Sequence, residues 1–394
     1  MSAPPAPDGR DEQPELDLLV LADDRTGALE ASGMCADAGL ITVMMPWISH
    51  APTATTSTSQ SQAVITPRPP PHRCRVVDIG SRHLDTAEAA RRAVAAARDA
   101  PARRRDAHKI DSTLRGNWAA ELVARYRATG RRTILVPAFP AAGRTCVGGI
   151  VREHDVPVAE GAAGRDRLRP VASSSPAEHL RYEGAGGVAE VEDATELARW
   201  IDSQSAFAVC DAAADVEIVL LAEQWVAHPD IVFAGTAAAI GAAARVSVAS
   251  HHRPDPPQVA GDILVVCGSL HRSARGQIAV LRGTAGRHTV LASPDLVVDA
   301  DVIDVEEAQR AARLLAAAAR RMLNRRPYGA VVLIGGDTAA AFLGEDPLVV
   351  GGTVAVGVPW CRAADGRGPL LLTKPGGFGD SRALVDLVTA ILER

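Results

Sequence analysis

The chain has 394 residues, of which 47% are apolar and only 3% aromatic, and its formal net charge at pH 7 is −5. Without a basic excess we do not expect a nucleic-acid partner, and without an apolar run of about 18 residues we expect neither a transmembrane helix nor a membrane partner. An interior built from aliphatic side chains and alanine favours helices packed on buried parallel strands, and the length predicts roughly two to three domains.

Neither the first residues nor the cysteines indicate export or a zinc site. Residues 1–15 are rich in Pro, Asp and Glu and lack the pattern of a signal peptide, so they predict a disordered tail. The cysteines are widely scattered: Cys35, Cys74, Cys146, Cys210, Cys267 and Cys361. Because no C-x-x-C pair or Cys/His metal spacing occurs, structural zinc is not expected, and a reducing cytoplasmic compartment fits best.

Strand and helix patterns alternate through the first 250 residues. Short apolar runs predict strands at residues 16–21, 41–45, 75–79, 133–136, 206–210 and 231–233. Helical spacing predicts helices at residues 28–38, 86–100, 118–126, 195–202, 216–227 and 237–244, and an arginine-rich helical pattern ends near Asp106. Residues 51–72 predict a flexible surface excursion, and residues 152–190 cannot be placed.

The alternation begins again after a break at residues 251–257, which contain His251, His252 and three prolines. Strands are predicted at residues 262–266, 289–292, 330–334 and 370–372, and helices up to residue 282 and at residues 304–323, 339–343 and 383–392. The sequence therefore predicts an α/β protein of two domains, residues 16–250 and 259–394, each with a largely parallel sheet flanked by helices.

Polar side chains follow the predicted strands of the first half. Asp23 and Asp24 come after the first strand, and Ser81 and Arg82 come after the third. Ligands of open α/β sheets bind beyond the carboxyl ends of the strands. The aspartate pair could simply cap the next helix, but one aspartate suffices for a cap and two adjacent carboxylates repel each other. Both a cap and a functional role stay open at this point.

The most polar stretch is Lys109-Ile110-Asp111-Ser112-Thr113-Leu114-Arg115-Gly116-Asn117, which precedes a predicted helix. By itself it could be a solvated loop that caps this helix, because turn chemistry explains Asp, Ser, Thr and Asn. The start of a helix also favours anions. An arginine can bind a carboxylate through two hydrogen bonds, and an aspartate can accept a hydroxyl proton or hold Mg²⁺ through water.

Three glycine-bearing loops follow strands in the second half. They contain Gly268-Ser269, Gly335-Gly336-Asp337-Thr338 and Gly376-Gly377-Phe378-Gly379, with Lys374 beside the third. Glycines let backbone N–H groups approach an anion, so the loops could together bind phosphates. No P-loop motif and no dinucleotide fingerprint occurs. Phosphate loops facing an acidic and cationic pocket have the layout of a small-molecule kinase.

These motifs, taken in order, resemble those of the four-carbon acid sugar kinase family. The matching segments are Asp23-Asp24-x-Thr26-Gly27-Ala28, Ser81-Arg82, the nine residues from Lys109 to Asn117, Pro137-Ala138-Phe139-Pro140 with Gly143-Arg144-Thr145, and the three glycine loops. They cover nearly the whole chain, and the nine-residue segment is the most specific of them.

The resemblance implies an ATP-dependent kinase that acts on a sugar acid such as threonate, erythronate or 3-oxo-tetronate, usually at the terminal 4-hydroxyl. It implies an active site between a substrate domain and a nucleotide domain. By matching position, Asp23, Asp24, Ser81, Arg82, Lys109, Asp111, Ser112 and Arg115 would bind the acid sugar. Ser269, Gly335, Gly336, Asp337, Thr338, Gly376, Gly377 and Gly379 would bind ATP.

The leading hypothesis is a cytoplasmic sugar-acid kinase that uses ATP and Mg²⁺ and forms a homodimer. Arg82 and Arg115 would bind the substrate carboxylate, Asp24 or Asp111 would act as the base, and Lys374 would neutralise phosphate charge; the metal ligands stay open. The alternatives are a non-catalytic sugar-acid sensor and a kinase for a larger acid. Four departures from the family pattern bear on the substrate: Arg25, Gly377, residues 270–273 and the longer excursion at residues 51–72.

Overall fold

The computed structural model describes residues 18–48, 74–99, 105–166, 169–248, 254–293 and 305–392. The predicted tail at 1–15, the predicted excursion at 51–72 and residues 251–253 of the predicted boundary lie outside these ranges. The domain limits 16–250 and 259–394 stay predictions. No helix in the described part of the chain is both long enough and apolar enough to span a bilayer.

The first half alternates strands and helices, as predicted. Its elements are β1 (Leu18–Ala22), α1 (Arg25–Asp37), β2 (Thr42–Pro46), β3 (Cys74–Asp78), α2 (Thr86–Arg98), β4 (Arg105–Lys109), α3 (Trp118–Thr129), β5 (Thr133–Val136), β6 (Arg144–Val147), β7 (Ile150–Glu153), β8 (Val156–Pro157), α4 (Pro176–Tyr182), β9 (Val188–Val191), α5 (Ala194–Ile201), β10 (Phe207–Cys210), α6 (Asp215–Val226), β11 (Val232–Gly235) and α7 (Ala237–Val246).

The second half has the same alternation with one antiparallel hairpin. Its elements are β12 (Ile263–Cys267), α8 (Arg272–Arg282), β13 (His288–Ala292), α9 (Val305–Arg325), β14 (Ala330–Ile334), α10 (Gly336–Leu343), β15 (Leu348–Ala355), β16 (Val358–Ala363), β17 (Leu370–Lys374) and α11 (Ala383–Leu392).

Most of the described strands form one sheet in the order β13-β12-β14-β17-β16-β15-β2-β3-β1-β4-β11-β5-β10-β9. The strands from β2 to β9 in this order pair in parallel, and so do β13, β12, β14 and β17. The hairpin β15–β16 joins the two parallel segments through antiparallel pairs with β2 and β17. The predicted α/β class with largely parallel strands is confirmed, and the sheet is continuous across the two halves.

Helices cover both faces of the parallel segments. In β1, Leu18 and Val20 pack in the same core as Leu29 of α1, whereas Leu19 and Leu21 pack against α2 on the other face. Strands buried on both faces are apolar at nearly every position, which explains why the run at residues 16–21 shows no alternation.

The interpretation of the residues before Lys109 as helical up to Asp106 is wrong. Residues Arg105–Lys109 form β4, a strand in the centre of the sheet with four of its five residues buried. Asp106 is paired with Arg125 at 2.8 Å and with Arg131 at 2.6 Å, and His108 Nε2 lies 2.9 Å from Glu121. Because each buried polar side chain has a partner, polar residues are compatible with this buried strand. Their presence makes the strand difficult to recognise in the sequence.

Helix α1 is almost completely buried and lies against β15, β16 and α7 as well as its own sheet segment. Its close approach to the hairpin depends on Gly33. A Cβ added there would lie 2.8 Å from Cγ2 of Thr353 and 2.9 Å from Cβ of Pro359. These distances leave no room for a methyl group, so Gly33 sets the spacing between α1 and the strands that join the two halves.

We expect Gly33→Ala to lower the free energy of unfolding by about 1–2 kcal/mol, because overpacking outweighs the gain in helix propensity. The matched control is Gly276→Ala in α8, where an added Cβ meets no atom within 4 Å. That substitution should raise the free energy of unfolding by about 0.5–1 kcal/mol. Urea denaturation measures both, and equal effects of the two substitutions would contradict the close approach.

Candidate active site

A cavity of about 440 Å³ lies where strand ends of the two halves meet. Most of the residues predicted for the acid sugar line it: Asp23, Asp24, Arg82, Lys109, Asp111, Ser112 and Arg115. From the second half, the cavity is lined by the predicted residues Gly336, Asp337 and Gly376. Ser81 does not line it; this residue is buried behind the wall, and its backbone N–H donates to the carbonyl of Asp23 at 2.9 Å.

Arg82 connects three strand ends on the first-half side of the cavity. Its Nε and Nη2 donate to the two oxygens of Asp23 at 2.8 and 2.9 Å, and its Nη1 donates to Asp24 at 2.7 Å. Asp111, beyond the end of β4, lies 3.4 Å from Nη2. Burial alone would lower the pKa of Arg82, but the three carboxylates outweigh it and raise the pKa well above its ordinary value. A permanent cation therefore holds the acidic side chains in place.

Asp24 has the capping role that the sequence left open, and a functional role of the aspartate pair stays a prediction. Asp24 is the N-cap of α1, since its Oδ1 accepts from the backbone N–H of Gly27 at 2.8 Å. Its other oxygen accepts from Arg82. Asp23 is completely buried, and both of its oxygens accept from Arg82. One aspartate thus caps α1, and the other pairs with Arg82 through both of its oxygens.

Asp111 is saturated with hydrogen bonds. Its Oδ2 accepts from the hydroxyl of Thr113 at 2.6 Å and from Nε of Arg115 at 3.1 Å, and its Oδ1 accepts from Nη2 of Arg115 at 3.0 Å. Burial alone would raise its pKa, but Arg115 and Arg82 outweigh it and hold the pKa well below the usual range. A carboxylate of such low basicity is a poor proton acceptor, so this geometry disfavours Asp111 as the base.

The loop after β4 holds this arrangement at the expense of backbone strain. Leu114 has a φ of +66°, which is uncommon for a residue with a side chain. Its N–H donates to the carbonyl of Asp111 at 3.0 Å, and Nδ2 of Asn117 donates to the carbonyls of Ser81 and Leu84 at 2.9 and 3.0 Å. Residues in strained backbone conformations cluster at functional sites. The polar run is thus fastened to the Ser81-Arg82 loop rather than free in solvent.

The Gly268-Ser269 loop of the second half touches each of the other two glycine loops. An added Cβ at Gly335 would lie 3.2 Å from the backbone nitrogen of Ser269, and one at Gly376 would lie 2.0 Å from the Ser269 hydroxyl. Gly335 has a φ of +102° and precedes the first turn of α10. Only glycine fits this close contact and this backbone angle, so the loops form one backbone-rich surface at the start of a helix.

This surface faces the aspartates of the first half. An added Cβ at Gly336 would lie 3.1 Å from the Thr26 hydroxyl and 3.8 Å from Oδ2 of Asp24. The first turn of α10 therefore borders the same space as the N-cap of α1. A phosphate at the start of α10 would lie next to the aspartate loop.

Lys374 is the last residue of β17 and is 2% exposed. Its Nζ donates to the carbonyls of Pro375 at 3.1 Å and Phe378 at 2.6 Å. Burial lowers its pKa to about 8. It lines an adjoining cavity of about 500 Å³ together with Gly377, Gly379 and Phe378, so its predicted contact with phosphates stays a prediction.

Arg25, which departs from the family pattern, links the two halves. Its Nε donates to Asp78 at 2.8 Å at the end of β3, and its Nη1 donates to the carbonyl of Gly344 at 2.6 Å after α10. The side chain is 8% exposed and lines the cavity. An apolar residue could make neither of these bonds, so in this chain the hydrogen bonds of Arg25 connect the two halves at one edge of the site.

Two further residues of this region are not among those predicted from the sequence. Gln277 of α8 donates from Nε2 to the carbonyls of Phe378, Gly379 and Asp380 at 3.0, 3.0 and 2.7 Å, and so holds the third glycine loop. Glu30 of α1 lines the cavity and is 7% exposed. A signal for Glu30 did exist, because it is the only charged residue between Gly27 and Cys35 in a run of small and apolar residues.

Comparison with known proteins identifies the family. A model of a sugar-binding N-terminal domain matches residues 18–244, and a model of a nucleotide-binding C-terminal domain matches residues 289–384. A D-threonate kinase of Bordetella bronchiseptica is 31% identical over 322 residues, which cover 73% of this chain and 78% of the relative. The chain belongs to the four-carbon acid sugar kinase family.

Further comparisons agree with this family. A D-threonate kinase of Cupriavidus necator is 29% identical over 417 residues, which cover 93% of this chain and 96% of the relative. The structure of a Salmonella typhimurium protein aligns with a TM-score of 0.74 at 19% identity, over 95% of this chain and 99% of that one, and shows the same fold. The predicted enzyme class, a sugar-acid kinase, is confirmed.

We expect Asp111→Asn to lower the free energy of unfolding of this kinase by about 2 kcal/mol at pH 7, because the amide leaves buried donors of Thr113 and Arg115 without an acceptor. The folded pKa of Asp111 lies below its unfolded value, so its contribution is complete above the unfolded pKa and is lost as the pH falls through the folded pKa. The difference from wild type should therefore shrink below about pH 4.

The control for this substitution is Asp166→Asn. Asp166 lies 3.8 Å from Arg115, with 27% of its side chain exposed, and should contribute less than about 1 kcal/mol. Urea denaturation between pH 3 and pH 7 compares the three proteins. An Asp111→Asn protein as stable as wild type at pH 7 would contradict the hydrogen bonding of Asp111 described above.

Proposed function

We propose that this kinase transfers the γ-phosphoryl group of ATP to a hydroxyl, specifically the terminal 4-hydroxyl, of a four-carbon sugar acid such as threonate, erythronate or 3-oxo-tetronate. One observation carries the proposal: the acidic and cationic loops of the first half and two of the three glycine loops of the second half line one cavity. The D-threonate kinases among its relatives support the substrate class.

The first-half side has groups suited to a small polyhydroxy acid. Arg115 and Ser112 are partly exposed on the cavity wall, so they could bind the substrate carboxylate. Arg82 donates to Asp23 and Asp24, and its predicted contact with the substrate stays a prediction. The rigid acidic cluster would orient the substrate hydroxyls, since phosphoryl transfer requires mainly positioning.

The second-half side has groups suited to phosphates. The first N–H groups of α10 lack partners within the helix. Because Gly335 has no side chain, an anion can approach these groups. Ser269, Thr338 and the Gly376–Gly379 loop adjoin this point. We assign the ATP phosphates to this surface, with their terminal group toward Asp24.

A magnesium ion suits this arrangement. Asp337 at the start of α10 and Asp24 opposite it both line the cavity, and Mg²⁺ is usually held by one or two carboxylates together with substrate phosphates and water. Among the residues that the structure describes, no group of three or more His, Cys, Asp or Glu could hold a metal by itself. When bound, the ion would neutralise charge on the transferred phosphoryl group.

An ADP-release assay with a panel of sugar acids tests the proposal. The panel contains both stereoisomers of threonate and erythronate, 3-oxo-tetronate and longer sugar acids, and ³¹P NMR locates the phosphate in the product. We expect turnover on at least one four-carbon acid, with the phosphate on the 4-hydroxyl. ATP binding without turnover on any acid would indicate a sensor, and turnover confined to longer acids would contradict the substrate class.

A second test concerns Lys374. If its ammonium stabilises bound phosphates, kcat/KM for ATP should fall about tenfold between pH 7 and pH 9, because a group with a pKa of about 8 loses its charge across this range. The Lys374→Met variant should have a lower kcat/KM at pH 7 and lack this fall. The same pH dependence in both proteins would show that another group titrates.

A further inference from the structure

Glu30 is a buried carboxyl group without an evident structural role. It lies in the second turn of α1, and its Oε1 is fully buried without a hydrogen-bond partner among the described residues. Its Oε2 lies 3.7 Å from Nζ of Lys109. Leaving a buried carboxylate oxygen unpaired destabilises a protein, so the unpaired oxygen of a residue that lines the cavity indicates a function.

The position of Glu30 places it between the two halves of the site. The carboxyl lies on the cavity wall, which also includes Lys109, Gly336 and Phe378. A Cβ added at Gly357, in the turn between β15 and β16, would lie 3.1 Å from its Oε1 and 2.5 Å from the ring of Phe378. Glu30 is therefore close to the third glycine loop as well as to the loop after β4.

The charges around Glu30 favour a basic carboxylate. Burial raises its pKa, while the cations Lys109 and Arg144 lower it and the anions Asp24 and Asp111 raise it, and the net direction is upward. Lys109 Nζ also donates to the carbonyl of Ile110 at 2.8 Å, which fixes the ammonium beside one oxygen of Glu30. The other oxygen is left to accept a proton.

The two bases predicted from the sequence lack such an oxygen. Asp24 accepts from Gly27 on one oxygen and from Arg82 on the other, and both oxygens of Asp111 accept from Arg115. We propose that Glu30 is the general base of the phosphoryl transfer. This inference rests on the proposed function and names the group that activates the substrate hydroxyl.

The substrate hydroxyl oxygen forms a bond to the γ-phosphorus of ATP, and the bond from this phosphorus to the β,γ-bridging oxygen breaks. ADP leaves with the electron pair of that bond. The hydroxyl proton passes to the carboxylate of Glu30 and from there to solvent, which restores the carboxylate.

The test compares Glu30→Gln, Glu30→Asp and wild type by steady-state kinetics with the acid that wild type phosphorylates. We expect Glu30→Gln to lower kcat by 100-fold or more while KM for the acid and for ATP change by less than threefold, because proton transfer contributes about 10²–10⁴-fold. Glu30→Asp should retain an intermediate kcat. The control Glu223→Gln, an acid-to-amide change at an exposed position of α6, should leave kcat unchanged.

The pH profile separates catalysis from positioning. Wild-type kcat should fall as the pH drops through the pKa of Glu30, because only the carboxylate accepts a proton, and the residual activity of Glu30→Gln should lack this fall. If Glu30 only positions Lys109, KM should rise in Glu30→Gln and the pH profile should stay that of wild type, which would overturn the proposal. Melting temperatures show whether the variants fold. If Glu30→Gln does not fold, Glu30→Asp takes its place, and a kcat equal to that of wild type would overturn the proposal.

The outcomes distinguish this proposal from the function on which it rests. An active wild type together with a Glu30→Gln protein of equal kcat would overturn the assignment of the base alone. A wild type without turnover on any acid would overturn the proposed function and, with it, this assignment.

Discussion

The site depends on one buried cation, Arg82, and the carboxylates that surround it. Asp23 and Asp24 follow β1, Arg82 follows β3 and Asp111 follows β4, so one guanidinium joins the ends of three neighbouring strands. Removing the cation would leave the buried carboxylate of Asp23 without its partner, and breaking a buried ion pair typically destabilises a protein by about 3–5 kcal/mol. The same guanidinium fixes the geometry of the acidic side chains, and a phosphoryl-transfer site requires mainly such positioning.

Helix α1 brings this cluster to the second half of the chain. It begins at Asp24, carries Glu30 in its second turn and packs against the β15–β16 hairpin through Gly33. Because α1 is wedged between the parallel segment of the first half and the strands that lead to β17, its first turn lies beside the start of α10. Arg25 adds hydrogen bonds across the same junction. The spacing of the two halves therefore depends on packing and polar contacts at one helix.

The sequence predicted the cavity because motifs at the carboxyl ends of parallel strands must gather at a sheet edge. This rule brought Asp24, Arg82 and Asp111 together without any knowledge of the long-range pairing. It could not predict how their hydrogen bonds are distributed. Asp111 is a candidate base by residue type, but in the structure it is occupied by Thr113 and Arg115.

Other features were hidden because the sequence does not show which charges find partners. The polarity of β4 suggested a helix, whereas Asp106 and His108 are buried against residues of α3 and beyond. The β15–β16 hairpin was missed, and with it the continuity of the sheet. Glu30 was not predicted as a site residue because a single acidic residue in a helix usually indicates an exposed position. Only the observed burial of α1 on nearly all sides shows that this carboxyl faces the cavity.

The central claim is that the acid sugar and the phosphate donor meet in the cavity between Asp24 and the start of α10. A crystal structure with a non-hydrolysable ATP analogue and the sugar acid that the enzyme phosphorylates tests it most directly. The account predicts the γ-phosphate at Gly335–Thr338 and a substrate hydroxyl about 3–3.5 Å from its phosphorus, within reach of Glu30. A nucleotide bound away from α10, or an acid bound outside the cavity lined by Asp24 and Arg115, would contradict it.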